Sequence, residues 1–275
     1  MTKKFNAYII LVAIIILTFT SLSGCRNSKN ISKEAENKSS IEKIKDSGKI
    51  VIGTCADYPP YEFHKQIHGK DEIVGFDIEI AKEIAKDLDV ELEIKDMDFK
   101  GLLGALQTGN VDFIIAGMTP TTERAKSVDF TKKYYEADQG FLIRTEDKEK
   151  YKSIEELKGM KVGAQKGTIQ EEVALNKIEN AQLKSLGKIT DLVLELKNKK
   201  IEGIVLVKPV AEAYVNANPD LCLSYISFGK EDGVAIAVKK GNKELVDTMN
   251  KTIDRLVENK FLDNFIKNAT MLSEE

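Results

Sequence analysis

V-D-F-I-I-A-G-M-T-P-T-T-E-R-A-K-S-V-D-F, Val111 to Phe130, is the stretch from which the fold can be argued. Phe113-Ile114-Ile115-Ala116 is an apolar run that predicts a buried strand. It stops at Gly117 and passes through Met118-Thr119-Pro120-Thr121-Thr122 into the charged Glu123-Arg124-Ala125-Lys126. Thr119 or Thr121 suits a helix N-cap, and Pro120 suits a first helical position. A strand that runs through Gly and Thr into a helix start leaves backbone N–H groups at the strand's carboxyl edge. Open α/β sheets bind ligands at that edge, and helix N-termini attract anions. The planar fork of Arg124 can grip a carboxylate in two parallel hydrogen bonds. Together these pieces describe a seat for a small carboxylate. A surface arginine on an ordinary strand-to-helix loop is the plain alternative, and local pattern does not separate the two.

On either side, short β-rich runs alternate with helical periods. Lys49 to Gly53 predicts a strand, followed by the turn-rich Asp57-Tyr58-Pro59-Pro60-Tyr61. Phe76, Ile80, Ile84 and Leu88 recur every four residues and mark one helix face. Leu92 to Ile94 predicts a strand, and Leu102, Leu103 and Leu106 line a short helix before Gly109. A second series follows. It has a strand at Lys161 to Ala164, helices from about Ile169 and Thr190, a strand at Ile204 to Val207, and a helix opened by Pro209. Ser153-Ile154-Glu155-Glu156 fits a capping box. Val234 to Val238 predicts a further strand and Lys243 to Asn259 a final amphipathic helix. G-K-I-V-I-G (48–53) and G-M-K-V-G-A (159–164) each start a βα series, so two units with parallel sheets flanked by helices are expected. A cleft between two such units closes by hinge bending.

The chain has 275 residues, of which 31% are charged, with a formal net charge of −3. Those charges are spread rather than blocked, which gives no electrostatic case for nucleic acid. Lys3 and Lys4 precede an apolar core, Tyr8 to Phe19, that is short for a membrane span. The core ends in Leu22-Ser23-Gly24-Cys25, which resembles a bacterial lipobox. The expectation is a signal peptide over 1–24 and a lipid, palmitate among the candidates, on Cys25. The polar segment 25–40 reads as a tether reaching roughly 20 Å. Cys55 and Cys222 remain, and two solitary thiols read as unpaired. His64 and His68 are four apart in F-H-K-Q-I-H-G, a hairpin or loop with no accompanying ligand set, so no metal is expected there. No phosphate loop of the G-x-x-x-x-G-K form and no paired nucleophile is present.

D-Y-P-P-Y-E-F, G-F-D-I-E-I-A-K-E-I-A, A-G-M-T-P-T-T-E-R-A-K-S-V-D-F and V-G-A-Q-K-G-T-I-Q-E together resemble the solute-binding proteins of bacterial ABC importers for polar amino acids. The resemblance runs from about Ile41 to Lys267. It implies an α/β fold of the periplasmic binding protein-like II type, two lobes joined by two crossing strands. Lobe 1 would take 41–136 plus 235–275, and lobe 2 would take 137–234. It further implies a monomeric, lipid-anchored receptor on the outer face of the cytoplasmic membrane. Its partners would be a free amino acid and a membrane permease, with no cofactor and no nucleic acid.

By the same resemblance, Arg124 pairs with the ligand carboxylate, and Ala116, Gly117 and Thr119 complete that seat. Thr168, Ile169 and Gln170 contribute from the second lobe. Tyr58 and Tyr61 form aromatic walls, with Phe99 beside them and Gln165 adding polarity; packing of the tyrosines against the prolines is the alternative. Val207 departs from the family, which usually has an acid there for the ligand ammonium. An unpartnered buried ammonium costs several kcal/mol. Asp57, Gln170 or Glu172 would then substitute, or the ligand lacks the amine. Restoring Val207→Asp is expected to tighten binding of a standard α-amino acid. The alternative function is an exported dehydratase-like enzyme acting on a carboxylate without the amine, with Glu62 or Glu172 as its acid or base.

Overall fold

The computed structural model describes residues 38–230 and 232–274. The expected signal peptide, the lipid site at Cys25 and most of the tether lie outside the described residues. The chain divides into two compact units, Met1–Lys43 and Ile44–Glu275. The described end of the first unit enters helix α1 (Ser40–Ser47). Its start is closed by a reciprocal cap. The Ser39 N–H donates to Glu42 Oε2 at 2.8 Å and the Glu42 N–H to Ser39 Oγ at 3.2 Å.

The second unit contains two five-stranded sheets. The first uses β1 (Lys49–Thr54), β5 (Glu91–Asp96), β6 (Phe113–Ile114), β7 (Val128–Phe130) and β13 (Ala237–Lys239), in the order β5-β1-β6-β13-β7. The second uses β8 (Asp138–Arg144), β9 (Lys161–Gln165), β10 (Gln182–Leu186), β11 (Gly203–Val207) and β12 (Leu221–Lys230), in the order β10-β9-β11-β8-β12. A three-stranded sheet of β2 (Asp57–Tyr58), β3 (Glu62–Ile67) and β4 (Lys70–Val74) lies in sequence between β1 and α2. The chain leaves the first sheet after β7 and returns to it in β13. The first sheet therefore draws on sequence from both sides of the second.

The duplicated βα series is visible strand by strand. β1 pairs in parallel with β5 and β6, and β9 in parallel with β10 and β11. Helices α2 (Phe76–Leu88) and α3 (Phe99–Thr108) make the crossovers of the first half, and α4 (Ile169–Lys177) and α5 (Ile189–Lys197) those of the second. Parallel strands need such crossovers because a tight turn cannot reverse the chain twice. The sheets are nonetheless mixed rather than parallel throughout, since β13 and β8 run antiparallel to their neighbours. β8 is the strand that enters the second half, and β13 the strand that returns to the first.

The expected periodic faces are the buried ones. Phe76, Ile80, Ile84 and Leu88 of α2 are all buried, as are Leu102 and Leu106 of α3. Each such side chain contributes about 1.5–3 kcal/mol when fully buried. Helix α6 (Lys208–Ala217) carries Pro209 in its first turn. The Ser153–Glu156 capping box is present, on a 3-10 turn over Ile154–Leu157.

Several expectations need correction. Strand β6 is only Phe113–Ile114, and the helix expected after it is a single 3-10 turn, Arg124–Lys126. The Thr121 hydroxyl caps that turn by accepting the Arg124 N–H at 3.1 Å. The turn cannot lengthen because the chain must re-enter the sheet at Val128. Val234 forms only an isolated bridge to Tyr135, and the strand begins at Ala237. Helix α7 (Lys243–Glu258) is not the last element, because α8 (Phe261–Glu274) follows and packs on α2. No helix among the described residues is long and apolar enough to cross a membrane.

Candidate functional site

The carboxyl ends of the parallel strands converge. Cys55 follows β1, Ala116 and Gly117 follow β6, Gln165 ends β9, and Thr168 caps α4. These segments, with α3 and the turn at Arg124, line a cleft of about 300 Å³ between the two sheets. Its walls are Cys55, Tyr58, Glu62, Phe99, Ala116, Gly117, Thr119, Arg124, Gln165, Thr168, Ile169 and Gln170. The structure thus gathers Tyr58, Phe99, Ala116, Gly117, Thr119, Arg124, Gln165, Thr168, Ile169 and Gln170, as the sequence suggested.

Two expected residues are not among the walls. Tyr61 is fully buried and packs against Tyr58, Phe76 and Tyr135, with ring centroids 5.1, 4.5 and 5.6 Å away. It supports Tyr58 from behind instead of facing the cavity. Val207 is fully buried at the end of β11, opposite Gln139 of β8 in the ladder, and precedes the first turn of α6. An apolar side chain at that place needs no polar partner, and the neighbouring strand covers it.

Arg124 bridges the two halves. Its Nη1 donates to the Thr119 carbonyl at 2.6 Å and its Nη2 to the Gly167 carbonyl at 3.0 Å. The guanidinium carbon stands 5.2 Å from the centre of the Phe99 ring, within cation–π range. Since a guanidinium carries five donors in one plane, these two carbonyls and the ring fix that plane. The backbone N–H of Gly117 was expected to face a ligand. It donates instead to Asp77 Oδ2 at 2.9 Å.

Asp77 is wholly buried and also accepts from the Tyr134 hydroxyl at 2.9 Å. Burial raises its pKa to about 6, against the stabilising pull of the Gly117 N–H and Tyr134. Glu62 is wholly buried too, and its carboxyl is hydrogen-bonded to that of Asp77. Burial first, then the charge of Asp77 and the hydrogen bond to it, push the Glu62 carboxyl well above the usual range. Glu62 is the one carboxylate among the described cavity walls, and Arg124 is the one cation.

Asp57 and Cys55 flank this floor. Asp57 accepts the Ile189 N–H at 2.6 Å and the Gln165 amide at 3.1 Å, and Cys55 Sγ donates to it at 3.4 Å. Desolvation and the adjacent Asp57 push the Cys55 thiol up, so it is held protonated. Both Cys55 and Cys222 are free thiols. Gln170 donates to the side-chain oxygen of Gln139 at 3.2 Å, and Glu172 is exposed, away from the cavity. His64 pairs with Asp71 across the β3–β4 hairpin at 2.8 Å, and His68 sits at its turn with φ 51°. Among the described residues no cluster of His, Cys, Asp or Glu could hold a metal ion.

A cleft between two α/β sheets, walled by strand ends and carrying one cation and one buried acid, defines a two-lobed binding protein for a small charged solute. Residues 50–268 match the family of bacterial extracellular solute-binding proteins, family 3, and the chain belongs to that family. It is 36% identical over 264 residues to the arginine-binding extracellular protein ArtP of Bacillus subtilis, spanning 94% of this chain and 96% of that one. A probable histidine-binding protein of Campylobacter jejuni is 33% identical over 258 residues, 92% of this chain and 95% of its own. Among solved structures, the amino acid ABC transporter substrate-binding protein AbpA of Streptococcus pneumoniae, bound to L-arginine, is 40% identical. It superposes with a TM-score of 0.82, covering 85% of this chain and 99% of that one.

Glu62, offered by the sequence only as an acid or base of the enzyme alternative, and Cys55 are cavity walls besides those assigned to the ligand. Their signal was the segment C-A-D-Y-P-P-Y-E-F itself, a polar residue straight after β1 and an acid in an otherwise apolar run.

Proposed function

We propose that the cleft binds a free α-amino acid with a basic side chain, arginine foremost, and delivers it to a membrane permease. The chain is a substrate-binding protein of an amino-acid ABC transporter, as its relatives are. The ligand α-carboxylate is seated on Arg124 with Thr119, Ala116 and Gly117 around it, and Thr168, Ile169 and Gln170 close from the opposite half. Lobe 1 comprises 41–136 plus 235–275 and lobe 2 comprises 137–234; binding selects their closed arrangement.

The observation that carries this reading is the opposition of Arg124 and Glu62 within one cavity. A carboxylate matches the first, and a cationic side chain matches the second. A neutral side chain would leave the buried carboxyl pair of Glu62 and Asp77 without a countercharge. The ligands for which those relatives are named, arginine and histidine, favour the same class. Those relatives are binding proteins of transport rather than enzymes, and nothing in the cleft favours the dehydratase alternative over them.

Export and anchoring complete the proposal. The family is extracellular; the signal peptide over 1–24, the acyl chains on Cys25 and the monomeric state are our reading of the sequence. The test is calorimetry on the chain from residue 26 against arginine, lysine, histidine, glutamine and agmatine. Binding of arginine but not of agmatine, which lacks the carboxylate, is the expected result. Tight binding of agmatine, or of no compound in the panel, would overturn it.

A further inference from the structure

Three donors of the second half converge on one residue, Asp57. The Ile189 N–H, the first in helix α5, donates to its Oδ2 at 2.6 Å. The Gln165 amide nitrogen, at the end of β9, stands 3.1 and 3.2 Å from its two oxygens. The Tyr214 hydroxyl of α6 donates to its backbone carbonyl at 2.8 Å. All three donors belong to segments of the second sheet, whereas Asp57 belongs to the chain that follows β1. Close by, Lys188 crosses the same gap to Asp96 at 3.4 Å. The backbone of Gly187 is packed so near Asp98 that an added Cβ would stand 2.7 Å from its carboxylate.

Building on the proposed binding function, we propose that Asp57 is the latch that holds the two halves closed over the ligand, with the N-terminus of α5 as its striker. Asp57 does not line the cavity, so it touches no ligand and acts as a positioning residue. The first N–H groups of a helix have no partner within the helix, and the helix dipole places partial positive charge there. A carboxylate is the favoured occupant of that position. Once the halves separate, Asp57 exchanges those donors for water, so its bonds count toward the closed form alone. Burial still raises the Asp57 carboxyl despite the Ile189 N–H, Lys188, Cys55 and Gln165. Desolvation therefore offsets much of the gain, so the latch biases the empty protein toward closure and holds it firmly once ligand is bound. The geometry assigns to Asp57 a part in retention and none in capture.

The test compares wild type with Asp57→Ala and Asp57→Asn in stopped-flow kinetics with arginine. The expected result is a dissociation rate raised about a hundredfold in Asp57→Ala and about tenfold in Asp57→Asn, with association unchanged within about threefold. Asparagine keeps an acceptor for Ile189 but turns a donor toward Gln165, which explains the graded loss. A dissociation rate equal to wild type in Asp57→Ala would overturn the latch. Amide exchange supplies a second readout, because the first N–H of a helix is protected only by an outside acceptor. Exchange at Ile189 is expected to be at least tenfold slower in arginine-bound wild type than in the alanine variant. Should wild type bind no amino acid, the proposed function falls, and Ile189 exchange without ligand decides the latch. Slower exchange in wild type than in Asp57→Ala would sustain it, and equal exchange would overturn it.

Discussion

The two halves share a strand plan but bury different things. Behind its cleft, the first half packs Tyr58, Tyr61, Phe76 and Tyr135 around two buried carboxylates, Glu62 and Asp77. In the second half, Phe141, Ile143, Val162, Ala174 and Val205 make an aliphatic-aromatic core, and its cavity walls are Gln165, Thr168, Ile169 and Gln170, all uncharged. Charge recognition therefore belongs to the first half, and the second supplies neutral walls, helix N-termini and backbone carbonyls that shut the cleft. The same topology separates ligand reading from closure because both cavity-facing charges, Arg124 and Glu62, come from the first half.

The strongest way to break this comparison is Arg124→Ala. Losing one partner of a desolvated charge pair costs 2–5 kcal/mol, so arginine affinity is expected to fall at least about 30-fold in calorimetry. A fall of less than fivefold would move carboxylate recognition elsewhere. Next comes Gly75→Ala. Gly75 has φ 132°, and an added Cβ would lie 2.0 Å from the Tyr61 carbonyl oxygen, directly beneath the aromatic and acidic cluster. A destabilisation of about 2–3 kcal/mol is expected, lowering the thermal midpoint by roughly 5–10 °C. An unchanged midpoint would show that this cluster tolerates rearrangement.

Glu62→Gln sharpens the comparison by separating charge from shape. Arginine affinity is expected to drop about tenfold or more, while citrulline, its uncharged isostere, keeps its affinity within about threefold. Equal losses for both ligands would mean that Glu62 is structural.

The smallest effect is one of pH. Asp77 is raised to about 6 from an ordinary value of 3.8, and Glu62 is raised as well, both by burial first. Carboxyls raised by folding bind more protons in the native state than in the unfolded one. The charged form of Asp77 therefore costs stability above about pH 6, and that cost is relieved as the pH falls toward 4. Denaturant titrations at pH 7 and pH 5 are expected to show this gain in wild type and a smaller one in Asp77→Asn.

Much of the architecture was legible in the sequence because periodicity is a local property. The four-residue spacing of Phe76, Ile80, Ile84 and Leu88 and the capping box at Ser153 each appear where their pattern placed them. So do the strands opened at Lys49 and Lys161. Errors fell where a local pattern competed with a distant demand. The helix signal Thr-Pro-Thr-Thr-Glu gives one 3-10 turn because β7 must rejoin the sheet within a few residues. The sheets expected to be parallel are mixed because β8 and β13 take their direction from where the chain enters each half. Arg124 and the cavity-lining backbone around Gly117 could be named from motif and chemistry. By contrast, Tyr58 and Tyr61 look alike in sequence, and only packing puts one on the cavity and the other behind it.

The sequence by itself determined the α/β alternation, the duplicated units, the place of Arg124 at a strand's carboxyl end and the family, since each rests on residue spacing along the chain. Tertiary structure alone decided that Glu62 lies in the cavity wall beside Asp77, that Asp77 takes the Gly117 N–H, and that Asp57 meets the first N–H of α5, 132 residues away. Burial and long-range hydrogen bonding set the charge state and the partner of a carboxylate. Neither is a property of its neighbours in sequence.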